Sequence, residues 1–222
     1  MIKFYELLAK RADVSDAYFH EYWRYVHAAQ YSDSITTMLK YVQSHREPVS
    51  TAPFFDNPFE GVAEGGFASL DLALALAEDP AYTEGAAQDE PNFLAVDEMR
   101  VVIAEDRGTT TGTARPDRTD RVKLLCFLRR CAGVSRDEFE RGRPGAEALS
   151  AVDGVEQVVQ SCALPMPPSV DDQPFDGVDE IFFADAATAS NRVPAIAELV
   201  RSSEVIDFAA SLALVVRQVR IF

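Results

Sequence analysis

The chain has 222 residues, a formal net charge of −15 at pH 7 and 47% hydrophobic residues. So acidic a surface repels phosphate backbones and anionic headgroups, which argues against nucleic-acid and membrane partners. The apolar content suffices for a real core, and the apolar stretch Phe208 to Val216 falls far short of the ~20 residues a spanning helix needs.

Residues 2–9 alternate as a strand does, with Ile2, Phe4, Glu6 and Leu8 on one face. The chain opens directly on this strand, which predicts no signal peptide and a cytoplasmic protein. Ser15 is a candidate N-cap for a helix running to about residue 37. Residues 40–46 read as a second strand, followed by a loop rich in proline and phenylalanine and a third strand over about 61–68. A helix is predicted from Ser69, carrying Leu70, Leu72, Leu74 and Leu76, and Pro80 should end it by disfavouring helix at Asp79. A fourth strand is expected over about 96–105. This β-α-β-β-α-β order is the ferredoxin-like unit.

The same order then repeats. Ile2, Lys3, Val14, Ser15 and Phe19 match Val122, Lys123, Val134, Ser135 and Phe139 at a constant spacing of 120. Tyr41 to His45 recurs as Val158 to Cys162 at 117, and Phe59 to Glu64 recurs as Phe175 to Glu180 at 116. Duplication followed by short deletions leaves this pattern. It divides the chain into a first repeat at 1–105, a Gly/Thr/Pro linker at 106–120 and a second repeat at 121–222. Strands are expected near 121–129, 155–162, 177–184 and 210–221, and helices near 135–149 and 188–204. The first of these helices is damaged by Gly142, Arg143, Pro144 and Gly145, where the first repeat has Tyr22 to Tyr25. Two units closing their open sheet faces on each other within one chain would form a pseudodimeric α+β barrel, with room for further pairing into a homodimer.

The repeats differ in chemistry, because all three histidines lie in the first. On a helical wheel Tyr18, Phe19, Tyr22, Trp23, Val26 and Ala29 form the buried arc. His20 and His27 sit at its edge, where an imidazole can face a cavity and still exchange protons. On the second strand Tyr41, Gln43 and His45 share a face; the second repeat has Val158, Gln160 and Cys162 there. Glu64 and Glu180 are equivalent carboxylates, and Phe54, Phe55, Phe59 and Phe67 could be core or the wall of an apolar pocket. His20 and His27 are seven residues apart, about 10.5 Å along a helix axis, which is awkward for one metal. Cys126, Cys131 and Cys162 follow no metal spacing and read as packing thiols. No Gly-rich nucleotide loop and no nucleophile motif is present. The expectation is therefore no metal and no cofactor.

Val14, Ser15, Phe19, His20, Tyr22, Trp23, His27, Tyr41 to His45, Phe59 to Glu64, Phe67 to Leu70 and Asp79 to Tyr82 together resemble the EthD family of dimeric α+β barrels. The second half resembles it only through its flanking strands and Phe175 to Glu180. The resemblance implies a cavity between each sheet and its helices, and small-molecule catabolism or polyketide tailoring. Relatives in the wider barrel superfamily include cofactor-free monooxygenases, isomerases, decarboxylases, polyketide cyclases and haem enzymes, so fold does not fix the reaction. The expectation is an enzyme acting without a cofactor, by acid/base chemistry, on a small apolar aromatic or polyketide-like compound. His27 and His45 would be its acid/base groups and Tyr41 its proton donor, with His20, Trp23, Glu64 and Phe67 shaping the pocket. The alternatives are an oxidative or auxiliary role, haem included, and a non-catalytic binder of a hydrophobic molecule.

Overall fold

The computed structural model describes residues 1–222 apart from 32–33, 112–119 and 168–172. Its contacts divide the chain into two units, the first formed by Met1–His45, Pro58–Ile103 and Val219–Phe222, the second by Arg46–Asn57 and Ala104–Gln218. The fold is α+β, with eight strands among the described residues, and each unit carries the ferredoxin-like element order. Among the described residues no helix is long and apolar enough to cross a membrane.

In the first unit β1 (Ile2–Ala9), β3 (Phe59–Phe67) and β2 (Lys40–Arg46) pair antiparallel in that spatial order. Glu6 and Gln43 both stand opposite Ala63, Phe4 and Tyr41 opposite Gly65, and Leu8 and His45 opposite Gly61. Because successive strand residues alternate, these side chains share one face, and Tyr5, Val42, Ser44 and Glu64 share the other. α1 (Asp16–Tyr22) starts as predicted at Ser15, whose hydroxyl accepts the Tyr18 N–H. It covers the first face through a core of Leu8, Phe19, Trp23, Ala63, Phe93 and Leu94.

The helix departs from the wheel at Trp23. Residues Trp23–His27 form a π-helical turn, with the Ala28 N–H bonded to the Trp23 carbonyl five residues back, before α2 (Ala28–Tyr31) resumes. One extra residue per turn shifts everything beyond it by a position. Ala28 is buried in place of Ala29, and His27 moves from the boundary into the interior. Tyr18, expected in the buried arc, is exposed and stacks on Tyr22 with ring centroids 5.4 Å apart. Nor does the helix reach residue 37: residues 36–37 form a turn.

α3 (Leu70–Ala75) is capped by Ser69, continues as a 3₁₀ turn at Leu76–Glu78 and stops at Asp79, whose backbone is extended ahead of Pro80. Beyond it a π-helical turn (Tyr82–Ala86), α4 (Ala87–Asp89) and a 3₁₀ turn (Glu90–Asn92) follow without a break. This segment is anchored to the end of β1, since Arg11 N–H donates to Phe93 O and Ala95 N–H to Ala9 O. β4 (Arg100–Thr111) runs six residues into the stretch expected to be linker, of which 112–119 lie outside the described residues.

In the second unit the sheet order is β8 (Ile206–Arg220), β5 (Val122–Arg130), β7 (Gly177–Phe183), β6 (Val155–Ala163) and then β4 from Ala104, every pair antiparallel. α7 (Ala186–Arg201) packs Val193, Ile196 and Val200 into a core with Leu124, Val158 and Ile181. The predicted break in the other helix is present: α5 (Arg136–Gly142) ends where Arg143 turns extended ahead of Pro144, and α6 (Ala146–Ser150) restarts after Gly145. The four loop phenylalanines do not form one wall. Phe54 joins the second unit's core beside Phe208 and Phe55 is exposed, whereas Phe59 and Phe67 lie in the first unit's β3.

Each repeat seats one large side chain on a strand glycine. A Cβ on Gly61 would lie 2.6 Å from Trp23 Cζ3 and 3.1 Å from the Ser44 carbonyl; one on Gly177 would lie 2.6 Å from Arg143 Nη1. Gly61→Ala is therefore expected to cost about 1–3 kcal/mol by overpacking, read as a lowered midpoint in urea denaturation. An unchanged midpoint would mean that the indole has room to withdraw.

Candidate functional site

A cavity opens in the first unit between the helix face of the sheet and the segments that cover it. Its apolar walls include Phe4, Ile35, Met38, Leu76 and Phe222, and its polar groups are Glu6, His27, Tyr41, Tyr82 and Glu90. Phe222 is placed there by backbone pairing at both sides of Tyr41, with Tyr41 N–H donating to Phe222 O and Ile221 N–H to Tyr41 O.

Tyr41 is oriented by its neighbours. Its hydroxyl oxygen accepts from Trp23 Nε1–H at 3.1 Å and from Gln43 Nε2–H at 3.4 Å. Both lone pairs are then engaged, and the hydroxyl's own proton is directed elsewhere. Burial pushes the phenol up to about 12 against the opposing pull of those two donors, so Tyr41 remains a donor at neutral pH. Gln43 Nε2 also donates to Trp23 O at 2.9 Å, which fixes the amide with Oε1 toward His45 Nε2 at 3.2 Å. A carbonyl oxygen only accepts, so His45 carries its proton on Nε2 and its Nδ1 accepts from His20 Nδ1–H at 2.9 Å. Burial first, then the charges of His20 and Arg24, hold His45 down to about 3. His45 is therefore a neutral prop for Gln43 and Tyr41, and neither it nor His20 lines the cavity.

His27 does line it. Its Nδ1 lies 2.9 Å from Asp89 Oδ2, and Asp89 Oδ1 accepts from Tyr22 OH at 2.7 Å and from Asn92 Nδ2 at 2.9 Å. Burial alone would raise the Asp89 carboxyl, yet the hydrogen bonds from Tyr22, His27 and Asn92 keep it below its usual range. Burial depresses His27 by more than Asp89 raises it, which leaves a neutral imidazole at pH 7 with Nδ1–H turned to Asp89. Glu6 and Glu90 are both raised, chiefly by burial; the Glu90 charge adds to the effect on Glu6 and the Asp89 charge to that on Glu90.

The structure thus brings together His27, Tyr41 and, behind Tyr41, Trp23, His45 and His20. Phe67 is buried outside the lining and meets Phe4 edge-on at 6.2 Å. Glu64 is not brought to this cavity: it lies on the opposite sheet face, where Ser44 Oγ donates to its Oε1. Alternation along β3, with Ala63 and Gly65 facing the helix, could have placed it there. Sequence reasoning missed Glu6, Tyr82, Asp89 and Glu90. Glu6 carried a signal, as the only charged residue in the row Ile2, Phe4, Glu6, Leu8. Among the described residues no three His, Cys, Asp or Glu side chains converge as metal ligands.

The second repeat fills the corresponding place. Arg143 stands at the position of Trp23, Asp179 at that of Ala63 and Cys162 at that of His45. Arg143 Nη1 pairs with Asp179 Oδ1 at 3.0 Å, Gln160 Nε2 donates to the same oxygen at 3.0 Å, and Arg143 Nη2 reaches Cys162 Sγ at 3.3 Å. All four side chains are buried.

Residues 11–97 match the EthD domain family, which places the match wholly within the first repeat. No curated protein sequence matches the chain. Among solved structures it is similar to an anthrone oxidase-like protein, at 12% identity over 98% of this chain and 91% of that one, with a TM-score of 0.65. A putative monooxygenase from Lactobacillus acidophilus NCFM aligns at 13% identity over 100% and 93%, with a TM-score of 0.52. A putative chlorite dismutase aligns at 12% identity over 100% and 96%, with a TM-score of 0.53. At such identities these structures share the fold and nothing finer.

Proposed function

We propose that this EthD-domain protein is a cytoplasmic enzyme that moves a proton on a small, largely apolar aromatic or polyketide-like compound held in the first repeat. The observation that carries this reading is the pairing, in one cavity, of a hydroxyl donor fixed by two incoming hydrogen bonds with a neutral histidine backed by a carboxylate. The mostly apolar walls suit a largely apolar ligand. A ligand carbonyl oxygen would accept the Tyr41 proton as a hydrogen bond, and His27 would take a proton from the adjacent carbon. Negative charge developing on the oxygen is stabilised by Tyr41, and the imidazolium by Asp89. Returning the proton to another atom gives isomerisation; attack of the enolate within the same molecule gives cyclisation. His45, His20 and Trp23 act through Tyr41 as positioning groups, and the second repeat serves as scaffold.

The test is solvent exchange. A panel of aromatic and polyketide-like ketones in D₂O, followed by NMR, should show enzyme-dependent deuteration next to the carbonyl. His27→Ala and Tyr41→Phe should each slow it by roughly 10²-fold or more. The names borne by the fold neighbours make oxygen consumption the parallel measurement. Oxygen uptake with no exchange would move the chemistry to an oxidoreductase, and saturable binding with neither would leave a carrier.

The pH profile follows from the site. His27 must be neutral to accept a proton and its pKa is depressed, so kcat/KM should hold through about pH 6.5 and fall only at more acid values. An acid limb above the ordinary imidazole value would remove His27 from the role of base.

A further inference from the structure

We infer that Glu6 and Glu90 form a one-proton carboxyl pair that selects neutral hydroxyl- or carbonyl-bearing aromatic ligands and turns away carboxylates. The inference rests on the cavity being the ligand site, as proposed above, and adds which ligands it admits.

The two side chains reach the site from different elements. Glu6 lies mid-strand in β1, on the helix face with Phe4 and opposite Ala63. Glu90 is buried at the start of the 3₁₀ turn Glu90–Asn92, where its Oε2 accepts from Tyr82 OH at 3.3 Å. Both line the cavity, and among the described residues no Lys or Arg does. The other titratable groups facing the pair offset little of its charge: His27 is committed to Asp89, itself an anion, and Tyr41 and Tyr82 are phenols raised by burial. Two carboxylates in a largely apolar cavity without a cation cannot both ionise, so the pair keeps one proton near neutrality.

A one-proton pair has a definite recognition chemistry. It presents one O–H donor and one carboxylate acceptor and carries one negative charge. The hydroxyl of a phenol or a hydroxyketone can satisfy both groups, and a hydroxyketone has a carbonyl oxygen left for Tyr41. An aromatic carboxylate of the same size brings a second negative charge into a medium that screens it poorly, so like charges at close range repel it.

The test compares 2-naphthol with 2-naphthoate, which share a ring system and differ in charge at pH 7, by calorimetric titration. Wild-type protein should bind the naphthol at least tenfold more tightly, and Glu6→Gln or Glu90→Gln should close most of that gap. Equal affinities in wild type, or a gap unchanged in both variants, would overturn the pair's role. A ligand-independent readout runs beside it: the infrared difference between wild type and the Glu6→Gln/Glu90→Gln double variant at pH 7 should contain a protonated-carboxyl C=O band. Its absence overturns the inference whatever binds. Naphthol binding indifferent to Ile35→Trp, which fills the cavity, would instead sink the proposed site itself while the infrared band still reported on the pair.

Discussion

Trp23→Ala is expected to cost about 3–5 kcal/mol, a large share of the stability of a chain this size. The indole is 1% exposed, packs on Phe19 at 5.6 Å and on His45 at 4.5 Å between ring centroids, and closes over Gly61, which has no side chain to fill the void. The substitution also removes the N–H that orients Tyr41. Trp23→Phe separates the two effects, because it keeps most of the apolar volume and loses only the donor. Its cost should be nearer 1–2 kcal/mol, while ligand affinity falls almost as far as in Trp23→Ala because the Tyr41 hydroxyl is free to rotate. Urea denaturation and ligand titration on the same samples check both halves. A phenylalanine variant that binds normally would show that Gln43 alone suffices to aim the hydroxyl.

The architecture was legible because it is written twice. Ser15 and Ser135 both cap helices, the strand alternation around Tyr41, Gln43 and His45 holds, and Pro144 breaks its helix as predicted. What the wheel could not foresee was the π-helical turn at Trp23–His27, because a hydrogen bond that skips one residue leaves no mark on periodicity. That turn decides whether His27 sits at a boundary or against Asp89. Asp89 and Glu90 escaped notice for a related reason. They lie on a run of single turns of π, α and 3₁₀ type, each too short to develop a hydrophobic period. Glu64 misled because its retention in both repeats looked functional, whereas β3 turns it away from the cavity. The cavity's chemistry therefore depends on contacts between residues tens of positions apart, such as His27 with Asp89, that no local pattern encodes.

The same placement makes native stability strongly pH-dependent. A carboxyl whose pKa is raised in the folded state holds its proton longer there than in the unfolded chain. The stability this confers is fully present below the unfolded value and is lost as pH rises through the native one. For Glu6, pushed up to about 8 by burial and then by the Glu90 charge, the loss spans roughly pH 4.5 to 8. Glu6→Gln removes the group that must ionise while keeping its shape. It is expected to leave stability near pH 5 little changed and to raise it at pH 8–9 by on the order of 3 kcal/mol. Denaturation midpoints across pH 5–9 decide the matter: wild type should decline steeply toward alkaline pH and the variant less, its remaining decline coming from Glu90, which burial also raises. Parallel curves would mean that Glu6 ionises without penalty, through water entering the cavity. In that case the carboxyl pair would hold two charges and the one-proton inference would fail. The site that makes the protein less stable at high pH is thus the same one that gives the cavity its proton.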